Sequence, residues 1–148
     1  MALVIPAHTF EPVDLTEKTV RTAIFRLDPV PESAGRARRA ARTMLTDWRL
    51  ERLVEDVDLV VSELVTNALL HSGGLGRGAA GAIRFELDLR DRILTCRVVD
   101  SSPLPPRPEE ATETAESGRG LILVEAVATA WDWEDLPDGK AVWASFAL

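Results

Sequence analysis

The sequence has little of what stabilises disulfide-rich or zinc-bound proteins. Among 148 residues it has one cysteine, Cys96, and two histidines. A single cysteine cannot form an internal disulfide, and these counts argue against a zinc cluster. Cys96 alternates with Arg97 on an expected central strand, so we predict that its thiol is buried and inert.

The sequence also lacks the features of membrane-spanning or exported chains. No apolar run approaches the roughly 18 residues that a membrane-spanning helix needs. The opening stretch MALVIPAHTFEP has no basic region, and its apolar part ends at Pro6. A secretion signal is therefore not predicted, and we expect a soluble protein in a reducing cytoplasm.

Positively charged residues are outnumbered by negatively charged ones. The 17 Lys and Arg residues against 24 Asp and Glu give a net charge of -7. This balance argues against direct nucleic-acid binding and against attachment to a membrane surface through basic residues. Hydrophobic residues make up 46% of the chain and charged residues 28%. These near-average values exclude disorder, collagen-like repeats and coiled coil as the main state, and the length predicts one domain.

Hydrophobic periodicity and turn residues divide the chain into alternating helical and extended segments. We predict a strand over 19–27, a helix from an N-cap at Ser33 to Trp48, a helix over 52–72, a hairpin with strands 82–90 and 93–100, a helix over 118–130, and a closing hairpin over 131–148. Tight turns require antiparallel strand pairs, and the βαβ alternation of doubly wound folds is absent. The predicted fold class is α+β: a two-layer α/β sandwich with a mostly antiparallel sheet and helices on one face. Residues 1–14 are predicted to form an N-terminal arm, and residues 15–148 the domain.

Glu63 and Asn67 are the first candidate functional residues. They lie at i and i+4 on the second predicted helix, beside its apolar arc, so both side chains project toward one place. A carboxylate and an amide oxygen so placed can supply a general base and a ligand for a hard cation such as Mg²⁺. A hydrogen bond between the two on the helix surface explains the same spacing.

Asp100 and a Gly-Arg-Gly run are the next candidates. Asp100 ends a β-branched strand before the proline-rich segment 101–117, where it accepts a hydrogen bond from a ligand amine or simply starts a turn. Gly118, Arg119 and Gly120 open an apolar helix. Backbone N–H groups there can bind phosphate and Arg119 can add a contact, although a flexible entry turn fits equally well.

The order and spacing of these segments resemble the GHKL ATPase superfamily. The matching runs are SELVTNALLHS at 62–72, VVDSSPLPPRP at 98–108 and ESGRGLILVEAVATAWDW at 116–133. Within the superfamily, the chain is most similar to single-domain anti-sigma-factor serine kinases and related bacterial ATP-binding regulators. The resemblance covers nearly the whole chain, and it agrees with the predicted α/β sandwich.

The resemblance implies a role for each candidate residue, with ATP and Mg²⁺ as cofactors. Glu63 corresponds to the base that activates the attacking hydroxyl, Asn67 to the Mg²⁺ ligand, and Asp100 to the acceptor of the adenine amino group. The segment 101–117 corresponds to a lid over ATP. The glycines that hold the phosphates correspond to Gly118 and Gly120, with Arg119 beside them.

Two positions depart from the family's pattern. Ser102, which we count among the nucleotide-binding positions, stands where the family's D-x-G-x-G motif has its first glycine. A Cβ there costs about 1 kcal/mol or more if the backbone needs positive φ. In the late strand, where the family commonly has a threonine near adenine, the run is Gly139-Lys140-Ala141 and a hydroxyl is missing. Both departures argue for weak ATP binding.

Three functions therefore remain open from the sequence. The first is an ATP-dependent serine/threonine protein kinase that binds a sigma factor, phosphorylates an anti-sigma antagonist and so controls transcription. The second is a non-catalytic partner-binding module of the same fold with weak or no ATP binding. The third is an α+β domain with no nucleotide role. The resemblance also suggests a homodimer, formed through the N-terminal strand and the uncovered sheet face.

Overall fold

The computed structural model describes residues 20–71, 82–101 and 116–148, and only the backbone at 71 and 116–120. The predicted arm, Ser102 and most of the predicted lid lie outside the described residues. The elements, in chain order, are β1 (Val20–Leu27), α1 (Ser33–Asp47), a short 3₁₀ turn (Glu51–Leu53), α2 (Val54–His71), β2 (Ile83–Arg90), β3 (Ile93–Asp100), α3 (Glu116–Val127), β4 (Ala130–Leu136) and β5 (Gly139–Ala147).

The described strands form one sheet in the order β1-β2-β3-β5-β4. Every neighbouring pair is antiparallel, so β5 lies between β3 and the edge strand β4. Alternate residues of β2 and β3 are buried, which gives the sheet one apolar face. Helix α2 packs on this face against β2, β3 and β5. The predicted α+β sandwich is confirmed.

The core lies between this face of the sheet and the helices. It contains Leu64 and Val65 of α2, Phe85 of β2 and Cys96 of β3, all at most 1% exposed. This burial places α2, with its polar residues, directly above the middle strands. No helix in the described parts of the chain is long and apolar enough to cross a membrane.

The end of α1 turns the chain into α2. Arg49 has φ 56, its N–H bonds to the carbonyl of Thr46, and the N–H of Leu50 bonds to the carbonyl of Leu45 at 2.7 Å. These two hydrogen bonds are those of a Schellman motif, which satisfies the last carbonyls of a helix. Leu50 is fully buried as a result, and α2 begins only four residues later.

Some predicted boundaries were wrong. The N-cap of α1 is Glu32, without a side-chain capping bond, because the Ser33 hydroxyl donates instead to the carbonyl of Asp28. The Ser33 side chain thus closes the turn before the helix and is buried there. Helix α3 begins at Glu116 instead of Gly118 and ends at Val127, because Ala130 already pairs with Ser145 in the sheet.

Candidate functional site

The candidate site lies at the end of β3, on the face of the sheet that the helices cover. Asp100 is the last residue of β3, and the antiparallel register places it directly opposite Lys140 of β5. Both residues are buried, with 4% of Asp100 and none of Lys140 exposed. Two charged residues therefore lie side by side within the layer that α2 covers.

Asp100 and Lys140 form an ion pair. The Lys140 ammonium donates a hydrogen bond to Asp100 Oδ2, with Nζ and Oδ2 2.8 Å apart. Removing two charges from water costs several kcal/mol each, and such a pair persists only where its geometry is good. Oδ2 of the predicted adenine acceptor thus accepts a hydrogen bond from the chain itself.

Gly139 allows β5 to begin so close to Asp100. A Cβ on Gly139 would lie 1.9 Å from the carbonyl oxygen of Asp100 and 2.8 Å from Cα of Ser101. These are backbone atoms, so no side-chain rotation could relieve the overlap. Because Gly139 has no side chain, β5 can approach Asp100 closely enough for Lys140 to form the ion pair.

Asn67 is buried, and its amide has no hydrogen-bond partner among the described residues. Asn67 is 3% exposed, and in the part of the chain that the structure describes neither its Oδ1 nor its Nδ2 has a hydrogen-bond partner. This excludes a hydrogen bond between Asn67 and Glu63, so the alternative that such a bond explains their spacing is wrong. A buried polar group without a hydrogen bond costs about 1–3 kcal/mol. The orphaned amide oxygen fits a group that brings its own binding partner, such as a hard cation.

Glu63 lies one turn before Asn67 on α2 and is half-buried. No group of three or more His, Cys, Asp or Glu side chains among the described residues could hold a metal ion. A cation at Asn67 would therefore take further ligands from outside the described residues, such as the phosphates of a substrate. Mg²⁺ is commonly bound in this way, by one or two protein oxygens together with phosphate oxygens.

The Gly-Arg-Gly run lies in the first turns of α3. Because α3 begins at Glu116, Gly118 is its third residue and Gly120 its fifth. The first four N–H groups of a helix have no partner within it, and they favour negative charge. Helix α3 packs against α2, so these N–H groups and the helix that carries Asn67 belong to one layer. The side chain of Arg119 lies outside the described part.

Sequence reasoning missed Lys140. The alternation of β5 could have identified it, because Lys140 lies on the same face of the strand as Val142, Ala144 and Phe146, which are buried. Lys140 is also one of only two lysines in the chain. Ala141 lies on the opposite face and pairs with Val99, where it offers no polar group.

The histidine kinase-like ATPase domain family matches residues 27–146 of the chain, which span all three helices and strands β2 to β5. The chain belongs to this family. Histidine kinase-like ATPase domains bind ATP, usually with Mg²⁺. Membership thus supports the GHKL resemblance and an ATP-binding regulatory function. No curated protein gave a match to the chain.

Proposed function

We propose that this chain is an ATP-binding regulator that transfers the γ-phosphate of Mg-ATP to a hydroxyl of a partner protein. The observation that carries the proposal is Asn67, a buried amide without a hydrogen-bond partner on the helix that also carries Glu63. Such an amide lowers stability unless another group binds it. In an ATP-binding domain, the amide oxygen has a use.

Each end of the nucleotide has a proposed partner in the chain. Asp100 would accept a hydrogen bond from the adenine amino group, and Asn67 would contribute an oxygen ligand to Mg²⁺. Gly118 would present its backbone N–H to the phosphates, Gly120 would let them approach closely because it has no side chain, and Arg119 would add positive charge. Ser102, where the family has a glycine, is proposed to weaken nucleotide binding through its Cβ.

Glu63 is proposed as the general base. Its carboxylate would take the proton from the hydroxyl of the partner protein as the hydroxyl oxygen attacks the γ-phosphorus. The new O–P bond forms while the bond from that phosphorus to the bridging oxygen of ADP breaks, and ADP leaves. In this chemistry the protein acts mainly by positioning and by electrostatic stabilisation.

The proposed partners are a sigma factor and an anti-sigma antagonist, with a second copy of the chain as a homodimer partner. The face of the sheet opposite the helices is the proposed contact region. There Arg97 lies between Glu86 and Glu134 and forms ion pairs with both. An alternating charge pattern of this kind can align a partner of complementary charge.

A second candidate function is a partner-binding module that holds ATP weakly or not at all. The ion pair between Asp100 and Lys140 favours it, because Lys140 already occupies Oδ2 of the predicted adenine acceptor. Ser102 and Ala141, which depart from the family's pattern, favour it too.

Titration calorimetry with ATP and Mg²⁺, followed by a phosphoryl-transfer assay on co-purifying partners, separates the two functions. We expect wild type to bind with a dissociation constant of about 10 µM to 1 mM. Ser102→Gly should bind more tightly because it removes the Cβ. Glu63→Ala should abolish transfer yet change binding only a few-fold, whereas Asn67→Ala should weaken Mg²⁺-dependent binding.

Thr66→Ala, on α2 between Glu63 and Asn67, is the matched control and should change neither ATP binding nor phosphoryl transfer. Thermal melting of all variants shows whether α2 remains folded. Identical behaviour of Glu63→Ala and Asn67→Ala at unchanged stability would contradict the proposed division of roles. Binding without transfer to any partner would leave the partner-binding module as the function, and no binding at all would exclude an ATP role.

A further inference from the structure

The ammonium of Lys140 has more donors than acceptors. It carries three N–H groups, and among the described residues its side chain donates one hydrogen bond, to Asp100 Oδ2. The Lys140 side chain is completely buried, so bulk water does not reach it. Two donors of a buried charge therefore have no acceptor among the residues that the structure describes.

This arrangement is unfavourable unless another acceptor is supplied. Buried ion pairs are stable when further hydrogen bonds satisfy their remaining donors and lone pairs. Here the missing acceptor would lie beside Asp100, at the base end of the proposed nucleotide site. A ligand that brings an acceptor to this place would satisfy a donor of Lys140, and a donor next to that acceptor would face the Asp100 carboxylate.

The Watson–Crick edge of adenine has a donor and an acceptor side by side, the 6-amino group and N1. We propose that Lys140 is a base-specificity residue, donating to adenine N1 while Asp100 accepts from the 6-amino group. The inference rests on the proposed ATP binding and deepens it. Guanine has its groups in the reverse order, with the O6 acceptor where adenine has its amino donor. The pair should therefore discriminate against GTP.

Nucleotide analogues test the inference on the native chain. In 1-deaza-ATP the N1 acceptor is replaced by C–H, whereas 7-deaza-ATP keeps N1 and serves as the matched control. A lost hydrogen bond to a charged donor weakens binding about tenfold or more. By calorimetry we expect wild type to bind 1-deaza-ATP at least about tenfold more weakly than ATP, 7-deaza-ATP within a few-fold of ATP, and GTP more weakly than ATP.

Lys140→Met removes the donor and should bring the ratio of the ATP and 1-deaza-ATP affinities close to one. Because this change removes the ion-pair partner of the buried Asp100 carboxylate, thermal melting must show that the variant is folded. The double variant Asp100→Asn, Lys140→Met removes both charges and should give the same ratio near one. It keeps the comparison available if Lys140→Met unfolds.

Equal affinities of wild type for ATP and 1-deaza-ATP would overturn the inference while leaving the proposed function standing. A full penalty for 1-deaza-ATP in folded Lys140→Met would also overturn it, because another group, such as a water molecule, would then contact N1. Tighter binding of GTP than of ATP would overturn the assignment to adenine. If none of the nucleotides binds, the proposed function falls and the inference falls with it.

Discussion

Asp100, Lys140 and Cys96 share the helix-covered face of the sheet but differ in how their polar atoms are satisfied. The two charged residues bind each other, whereas the Cys96 thiol is fully buried in the hydrophobic core. Removing one charge of a buried pair usually lowers stability more than replacing both residues of the pair by apolar ones. We therefore expect a substitution at either position to be tolerated better when the other position changes with it.

The predicted burial of Cys96 is confirmed, and it has a chemical consequence. Desolvation raises the pKa of the Cys96 thiol from 9.0 to about 12. Because only the thiolate reacts, the native protein at pH 8 should react with a thiol reagent roughly a thousand-fold more slowly than the chain unfolded in urea. Stopped-flow absorbance measures both rates. A native rate within tenfold of the unfolded rate would contradict this prediction.

The same thiol links stability to alkaline pH. The folded state holds its proton up to about pH 12, whereas the unfolded chain loses it near the ordinary value of 9.0. The unfolded state thus binds fewer protons between these values, so the contribution of Cys96 is complete below about pH 9 and is lost as pH rises toward 12. Urea unfolding at a series of pH values should show this decline, and Cys96→Ala should show less of it.

At the scale of elements, single residues decide where α1 ends and where β5 begins. Arg49 adopts positive φ to close the Schellman motif, and Gly139 brings β5 against the end of β3. Both positions therefore set the path of the chain toward the candidate site. They differ in that Arg49 keeps its side chain, whereas Gly139 has no room for one.

Gly139 and Gly35 form a matched pair for a test of this difference. A Cβ at Gly139 overlaps backbone, so Gly139→Ala should lower the free energy of unfolding by about 3 kcal/mol or more. On α1, a Cβ at Gly35 would meet only ordinary contact, 3.5 Å from Arg38 Nη2. Gly35→Ala should therefore raise the free energy of unfolding by about 0.5–1 kcal/mol. Urea titrations measure both values, and an unchanged Gly139→Ala would show that β5 can shift freely.

At the scale of the whole molecule, local patterns predicted the elements well. Period-2 alternation identified the hairpin of β2 and β3, because one face of each strand is buried and the other is not. Helical periodicity identified α2, whose apolar arc packs on the sheet. These features are properties of a few neighbouring residues, so the sequence displays them directly.

Long-range pairing was harder to predict. The insertion of β5 between β3 and β4 depends on contacts between distant segments, which no local pattern contains. The ion pair of Asp100 and Lys140 joins positions 40 residues apart for the same reason. The N-cap at Ser33 was wrong because the serine had a competing acceptor in Asp28. The roles of Glu63 and Asn67 remain predictions.

The position of β4 at the edge of the sheet has a consequence for self-association. One side of β4 pairs with β5, and no described strand covers the other. An open edge can add a strand from a second molecule, and charged side chains discourage this. Asp132 and Asp135 are exposed on β4, so the edge repels an equally acidic copy.

Asp132→Asn together with Asp135→Asn should therefore make the chain associate at concentrations where wild type does not, as measured by light scattering after size-exclusion chromatography. Glu55→Gln with Asp56→Asn changes the net charge equally but lies on exposed positions of α2, away from the sheet edge. This control should not add to association. If both double variants associate, total charge keeps the copies apart. If only the β4 variant associates, two aspartates protect the edge from strand addition.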